Sequence, residues 1–371
     1  MNIKLTISDF NYKRDTQYCF LEQVYYKDYC KDPIIITYNR VKKEIIEFNE
    51  KTNQEKSFIL DIGKEYIRHC FTTQSGRHLL MGRYNANEKF TMYIFDSNWN
   101  LLNKKNKFDY CWHGTYSIDC NKNIIMFGDY CYSSKIVKLY RSIDDGDTWD
   151  VICELKGTYK NEDGEWPERD IRHYHTCLYD NYHKCWYKSS GDSPNNSILW
   201  KSDNDGETWY KINNNVNTNK IKESRKQSIF RHTSMIINDK YLYWGTDDNL
   251  GDQARVISCS KDDFKTINIG DQIGFNEVRS AVDINEEYMV VIPETKISKG
   301  ADVYLVNKKT LKSYFLISLS STLNKEHPIT DSISSKFAVN NIFYTFLNYD
   351  PKYGPISNFS TPCLKWKVEI Y

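Results

Sequence analysis

The sequence predicts an all-β protein, a single β-propeller of four-stranded blades, from three observations. Aromatic residues make up 15% of the 371 residues, and such side chains suit the pleated surface of a sheet. Alanine, the best helix former, occurs only five times. A strand–turn–strand pattern recurs roughly every 45 to 60 residues, which is the spacing of blades arranged around a ring.

Each repeat begins with two strands joined by a short polar turn. The second strand is an apolar run of aromatic and β-branched residues, as in 288–292, which indicates a buried strand. Each unit continues into a hairpin, such as the one over 135–155, and so supplies four strands. Six units are clear: 66–84, 112–130, 172–192, 230–248, 278–294 and 332–350.

The predicted ring includes the whole chain, residues 1–371, as one domain. Six blades are favoured, and the segment 18–48 is a possible seventh, because 33–38 has the pattern of a buried strand. The strand-like ends at 4–7 and 364–370 are expected to pair and to close the ring, which removes an open sheet edge.

A turn motif recurs between these strand pairs. Residues 142–149 read SIDDGDTW, residues 202–209 read SDNDGETW, and residues 260–266 are a degraded copy with Asp262 in the third position. Related turns occur at Asn49, Asp96 and Asn307. A carboxylate or amide in a turn accepts backbone N–H groups, and glycine permits a positive φ. We therefore expect Asp144, Gly146 and Trp149 to have structural roles.

The motif Ser-x-Asp-x-Gly-x-Thr-Trp resembles the Asp box of the sialidase-type β-propellers with bacterial neuraminidase repeats. That superfamily includes sialidases and other glycan-acting or glycan-binding proteins, so the resemblance implies a glycan-related function. It also implies that the boxes lie between the third and fourth strands of a blade, away from the active face. The sequence has no Arg-Ile-Pro motif, and the Tyr–Glu nucleophile pair of true sialidases cannot be placed by spacing.

The propeller geometry locates a candidate site, because the start of each first strand and the end of each second strand face the same mouth. Basic residues lie at the strand starts and acidic residues at the second-strand ends. Five of the eight histidines are at strand starts, and His69, His113, Tyr174, His232 and Arg279 are expected to form one column. The candidates are Arg68, His69, His113, Arg172, His173, His175, Arg231, His232 and Arg279, with Asp129, Asp192, Asp247 and Glu294.

These residue types suit an enzyme that processes an acidic saccharide. In a glycoside hydrolase, Asp192 or Asp247 would work together with Glu294. In a polysaccharide lyase, His173 or His175 would remove a proton beside a carboxylate. The family resemblance favours the hydrolase. The substrate-binding set is Arg68, His69, His113, Asp129, Arg172, Arg231, His232 and Arg279, since Arg binds anionic groups bidentately.

Two alternatives remain open. The first is a non-catalytic propeller that binds a carbohydrate or a protein. The second is a structural role for the same residues, in which histidines bond to the backbone and Arg172, Arg231 and Arg279 pair with Asp192, Asp247 and Glu294. Gly191 is expected to let the backbone approach a ligand closely.

No cofactor is expected. His173 and His175 lie on one face of a strand, so a metal is geometrically possible there, but no third ligand is evident. The 11 cysteines include no CxxC pair and are expected to be reduced.

Charge and hydropathy exclude several classes of partner. Lys+Arg is 50 and Asp+Glu is 49, which argues against nucleic acid and against a membrane surface as partners. The expected partner is a saccharide or sugar-containing ligand that is anionic. The first residues have no apolar signal region, so a cytoplasmic protein is expected, or a secreted one if a leader has been removed.

Overall fold

The computed structural model shows seven antiparallel sheets of four strands each, arranged as a β-propeller. The prediction of an all-β propeller of four-stranded blades is confirmed, and the blade count is seven rather than the favoured six. The blade that was only a possibility is β2–β5, near the N-terminus. The structure describes residues 3–9, 18–27, 32–39, 42–49, 51–62, 66–83, 88–131, 133–158, 170–191, 196–212, 228–247, 254–274, 277–293, 302–318, 329–334, 338, 340–349 and 363–371.

Each blade runs from a first strand at the centre of the ring to a fourth strand at the rim. Blade 1 contains β2 Tyr18–Lys27, β3 Asp32–Asn39, β4 Glu44–Asn49 and β5 Gln54–Ile59. Blade 2 contains β6 Tyr66–Thr72, β7 His78–Arg83, β8 Phe90–Phe95 and β9 Leu101–Phe108. Blade 3 contains β10 Ile118–Asn121, β11 Ile124–Gly128, β12 Ile136–Ser142 and β13 Asp150–Lys156, and blade 4 contains β14 Tyr174–Asp180, β15 Cys185–Ser190, β16 Leu199–Ser202 and β17 Tyr210–Lys211.

Blades 5 to 7 follow the same order. Blade 5 contains β18 His232–Ile237, β19 Tyr241–Thr246, β20 Ala254–Ser260 and β21 Ile267–Gly274. Blade 6 contains β22 Val278–Asp283, β23 Tyr288–Pro293, β24 Asp302–Asn307 and β25 Ser313–Ser318. Blade 7 begins with β26 Ile329–Ser334, β27 Ile342–Tyr349 and β28 Cys363–Ile370. Two 3-10 turns, Gly114–Tyr116 and Ser228–Phe230, precede β10 and β18.

The two ends of the chain close the ring. The N-terminal strand β1, Ile3–Asp9, is the fourth strand of blade 7 and pairs with β28 in antiparallel register, with Leu5 opposite Val368. This confirms the predicted pairing of the ends. It satisfies backbone groups that would otherwise form an open edge.

The core lies between neighbouring blades. The second strands β7, β15 and β23 are buried almost throughout, because adjacent sheets cover both of their faces. This explains why they are continuous apolar runs rather than alternating ones. The largest fully buried side chains include Trp112, Trp186, Trp244 and Trp366. Burying a large apolar side chain contributes roughly 1.5–3 kcal/mol, so these interfaces supply most of the cohesion between blades.

The predicted turns lie between the third and fourth strands. In the turn after β12, Asp144 accepts hydrogen bonds from the Thr148 amide at 2.7 Å and the Thr148 hydroxyl at 2.6 Å. Asn204 accepts the Thr208 amide at 2.9 Å in the turn after β16. Gly146 has φ 97°, a conformation that glycine adopts without steric cost.

The degraded third copy is shifted by one residue. Asp263, and not Asp262, accepts the backbone N–H groups of Lys265 and Thr266, at 2.8 Å and 3.2 Å. Phe264 takes the left-handed conformation in this turn, with φ 51°. A sequence alignment centred on Asp262 therefore selects the neighbour of the residue that stabilises the turn.

Among the described residues, no helix has both the length and the apolar character that crossing a membrane requires.

Candidate functional site

The register places the sequence candidates at one end of the propeller, called here the entrance. The first residue of each inner strand lies beside the last residues of the second strand, as in Tyr174 opposite Ser190 and His232 opposite Thr246. The described candidates therefore lie at one end of the propeller, as the positional argument from propeller geometry predicts.

A β-bulge recurs at the entrance and changes which residues are equivalent. The register shifts between Ile67 and His69, and at the corresponding places in blades 4, 5 and 6. A bulge adds one residue and redirects a side chain. The structurally equivalent residues are Arg68, His175, Thr233 and Arg279. The single column expected from spacing is therefore wrong, because it combines residues before, within and after the bulge.

The 3-10 turn Gly114–Tyr116, called here the central turn, occupies the axis of the ring. It lies against the inner strands β2, β10, β14, β18 and β26. The Tyr116 hydroxyl donates to the carbonyl of Ala281 and accepts the Ala281 amide at 3.2 Å, so the side chain crosses from blade 3 to blade 6. The central turn therefore fills the axis of the ring at the level of Tyr116.

Four rings form a continuous stack that runs inward from the surface of the entrance. The exposed imidazole of His113 stacks on Tyr130, with centroids 3.8 Å apart and planes at 11°. Tyr130 packs against the buried His173 at 4.1 Å, and His173 lies 4.9 Å from His175. The stack offers an aromatic face to solvent at its outer end and imidazole groups at its inner end.

His173 and His175 form a buried hydrogen-bonded pair. Nδ1 of His173 lies 2.7 Å from the carbonyl of Cys131, and Nδ1 of His175 lies 2.6 Å from the carbonyl of His232. A carbonyl only accepts, so both Nδ1 atoms carry hydrogen and donate. The two Nε2 atoms are 2.9 Å apart. A hydrogen bond between these two Nε2 atoms forms only when one of the rings carries hydrogen on both nitrogens.

Gly191 makes room for this pair. A Cβ atom at Gly191 would lie 2.3 Å from Cε1 of His175, much closer than any normal contact. The glycine is therefore required by the imidazole ring, whereas the sequence suggested the approach of a ligand. Ser117 lies against the same region, since its hydroxyl is within hydrogen-bond distance of the carbonyls of His175, at 2.6 Å, and of His113, and its one hydrogen is available to either.

The described carboxylates at the entrance are not free to accept protons from a ligand. Asp247 pairs with Arg231 at 2.7 Å, and each side chain is only 8% exposed. Asp129 is fully buried, and burial raises its pKa to about 8. One oxygen of Asp129 accepts the Lys138 amide at 3.0 Å. Asp247 is thus held ionised by its partner, while Asp129 favours the neutral form.

The remaining candidates differ in exposure. Arg68 is exposed and Arg172 is half-buried. His69 is buried beside Trp112, with ring centroids 5.6 Å apart. His232 is fully buried, and burial together with the nearby His175 lowers its pKa to about 3. Asp192, Glu294 and the side chain of Arg279 lie outside the described residues.

Three residues at the entrance escaped the sequence argument: Tyr116, Ser117 and Tyr130. Tyr130 carries a usable signal, since it follows Asp129 directly after a second strand. Tyr116 carries none, because its partner Ala281 lies 165 residues away in the sequence. Within the described part of the chain, no three His, Cys, Asp or Glu side chains are grouped in a way that could hold a metal ion.

Comparison with known proteins supports the fold alone. No family model matches the chain, and no curated protein matches it. A GH74 xyloglucanase from Xanthomonas campestris is similar in structure, with a TM-score of 0.57 and 9% identity over 97% of this chain and 55% of that chain. A chain of the mitotic checkpoint complex has a TM-score of 0.54 and 8% identity over 94% of this chain and 90% of its own. Prolyl oligopeptidase B from Galerina marginata has a TM-score of 0.52 and 14% identity over 92% of this chain and 46% of that chain.

Proposed function

We propose that this protein is a glycan-processing enzyme that binds an acidic saccharide in the entrance pocket. The observation that carries the proposal is the charge at the described strand ends. Arg68, Arg83 and Arg172 are cationic and lie at the strand ends of the entrance. Arginine suits a carboxylate or sulfate group of a saccharide because it binds such groups bidentately.

Two of the described carboxylates at the same positions add little negative charge. Asp247 is already neutralised by Arg231, and the raised pKa of Asp129 keeps much of that carboxyl protonated near neutral pH. Glu277, which bridges to Asp247 in the sheet, is half-buried.

The stacked rings supply the second requirement of a sugar site. The exposed His113 lies flat on Tyr130, and aromatic side chains of this kind pack against the apolar face of a sugar ring. The central turn with Tyr116 fills the axis of the ring, so a chain end or a short segment of a glycan fits better than a chain that passes through the axis.

For catalysis, we assign the acid and base work of a hydrolase to Asp192 and Glu294. Glu294 directly follows the end of β23 at Pro293, and Asp192 follows the end of β15 at Ser190 after one intervening residue, Gly191. Asp247 is less suited to be the general acid, since its ion pair with Arg231 stabilises the charged form. His173 and His175 are less suited to be a lyase base, because their Nε2 atoms face each other in a buried pair.

A second candidate function is a non-catalytic binding propeller. It is favoured by a specific observation: Asp247 is bonded to Arg231, and His173 is bonded to His175. A binding protein needs the cationic pocket and the ring stack but no available acid or base.

The test combines binding and turnover on a panel of uronate-containing, sialylated and sulfated oligosaccharides. We expect calorimetric binding of at least one of them, with Arg68→Ala and Arg172→Ala weakening the affinity about tenfold each and the exposed Lys211→Ala leaving it unchanged. The enzyme proposal further expects new reducing ends from the wild type, which Asp192→Asn or Glu294→Gln abolishes while binding persists. Binding without turnover assigns the binding function. No binding to any member of the panel overturns both.

A further inference from the structure

A buried lysine occupies the interface between blades 3 and 4, away from the entrance. Lys188, on β15, is 1% exposed. Its ammonium nitrogen faces three aromatic rings: Tyr174 at 5.1 Å, Trp200 at 5.2 Å and Trp209 at 4.4 Å. It also donates to the Tyr174 hydroxyl at 3.4 Å, and that hydroxyl in turn donates to the thiol of Cys153.

Lys188 differs from the other buried lysines in its partners. Lys261 ends on Asp180 at 2.7 Å, and Lys308 ends on Asp283 at 2.6 Å. In the described part of the chain, no carboxylate lies within ion-pair distance of Lys188. Burial disfavours the ammonium form and lowers the pKa of Lys188. The amine is therefore more often neutral than that of a surface lysine, and a neutral amine has a lone pair with which to act as a nucleophile.

Cys153 approaches this amine from the side of the solvent. It lies on β13, the outermost strand of blade 3, and its half-buried thiol is not part of a disulfide. The Tyr174 hydroxyl donates to its sulfur at 3.8 Å. Burial raises the pKa of Tyr174 well above its usual value, so this phenol stays protonated and remains a donor. The three groups form one hydrogen-bonded cluster of amine, phenol and thiol.

We propose that Cys153 and Lys188 form an oxidative crosslinking site, at which a peroxide joins the two side chains through a sulfur–nitrogen bond. In the first step the thiol is oxidised by the peroxide to a sulfenic acid, and the peroxide is reduced to water or an alcohol. In the second step the amine lone pair of Lys188 attacks the sulfur. The S–N bond forms, the S–O bond breaks, and the hydroxyl leaves as water with a proton from the amine.

The product is a sulfenamide that covalently joins the outer strand of blade 3 to the second strand of blade 4. Attack of an external thiol on the sulfur releases the amine, so reduction reverses the link. The aromatic rings around Lys188 fix the position of the amine, and Tyr174 is hydrogen-bonded to both the amine and the sulfur. This proposal is independent of the saccharide function, because it involves no residue of the entrance.

The experiment exposes the whole protein to hydrogen peroxide and maps its peptides by mass spectrometry. We expect a linked pair of peptides that contains Cys153 and Lys188, with the loss of two hydrogen atoms relative to the separate peptides, and we expect dithiothreitol to restore both. Cys153→Ser and Lys188→Met should each abolish the link. Lys188→Met keeps a side chain of similar length in the aromatic cage, and the wild-type map identifies the linked residues without any variant.

Three outcomes would overturn the proposal. One is Cys153 oxidised to the sulfinic acid while Lys188 remains unmodified. Another is a linked peptide that retains the oxygen of the peroxide, which would exclude the sulfenamide. The third is an unchanged yield of the linked mass in Lys188→Met, which would place the link at another amine. As a control, Lys261→Met should leave the yield unchanged, because that lysine is bonded to Asp180.

Discussion

Gly191 offers a sharp test of how the histidine pair is held. A Cβ atom there would lie 2.3 Å from Cε1, 2.7 Å from Nδ1 and 2.8 Å from Nε2 of the His175 ring. The ring cannot move aside freely, because Nδ1 is bonded to the His232 carbonyl and Nε2 to His173. Gly191→Ala should therefore break both hydrogen bonds.

The expected cost follows from those two bonds. A hydrogen bond contributes about 0.5–1.5 kcal/mol, so the loss of both should cost Gly191→Ala up to about 3 kcal/mol of unfolding free energy. With an unfolding entropy of about 2.1 cal/mol/K per residue and 371 residues, this corresponds to a fall of about 4 °C in Tm. Differential scanning calorimetry measures that shift.

A double-mutant cycle isolates the cause. In a His175→Ala background the clash is absent, so Gly191→Ala should cost less than about 1 kcal/mol, and the coupling energy should be about 2 kcal/mol. Gly245 provides the matched control at the end of β19, because its Cβ would lie 2.4 Å from Cβ of Val278. Gly245→Ala should cost the same with and without His175. Additive effects of Gly191→Ala and His175→Ala would refute the reasoning.

Three further predictions concern the turns, the buried carboxyl and the central turn. Burial opposes ionisation of Asp144, but hydrogen bonds from Thr148 outweigh it and hold the pKa of Asp144 below the usual value. The ionised Asp144 therefore stabilises the folded protein above the pKa that it has in the unfolded chain, and this contribution is lost as the pH falls. Urea titrations should show that Asp144→Ala costs about 1–2 kcal/mol at pH 7 and less in acid, while Asp144→Asn costs little, because Asn204 makes equivalent bonds. Burial raises the pKa of Asp129 to about 8, so the wild type should lose stability as the pH rises from about 4 to 8. Asp129→Asn should flatten the dependence of the unfolding free energy on pH in this range. An unchanged dependence would contradict a raised pKa at Asp129. Tyr116→Phe should cost about 1–3 kcal/mol by leaving the buried Ala281 groups without this partner, and a urea midpoint equal to that of the wild type would show that the crossing bond contributes nothing.

Local features of the sequence were enough to predict the architecture. Apolar runs such as 288–292 and the turns at Asp144 and Asn204 involve residues close in sequence, so composition and spacing report them directly. Blade 1 was only a possibility, because the buried-strand pattern at 33–38 was the one strand signal on which it rested. The pairing of β1 with β28 was accessible because a closed ring requires its ends to meet.

The candidate site could be located from the sequence but not described in detail. The strand order alone predicts that the described candidates share one end of the propeller. A one-residue bulge, which the sequence does not reveal, makes Arg68 and His175 equivalent positions. A shift of one residue turns a strand side chain to the other face, and no periodicity reveals it. Gly191 likewise looked like a ligand contact until the ring of His175 was placed against it.

Strand patterns and their spacing are sufficient to identify this protein as a propeller of four-stranded blades and to place the described basic and acidic candidates at one end of it. Whether those groups are neutralised, buried or exposed depends on contacts between strands and between blades. The ion pair of Arg231 with Asp247, the contact between His173 and His175, and the crossing of the axis by Tyr116 all join groups through space. Their charges and hydrogen bonds depend on distances of a few ångströms between residues of different strands or blades, and these distances are set by the register of the strands and the packing of the blades.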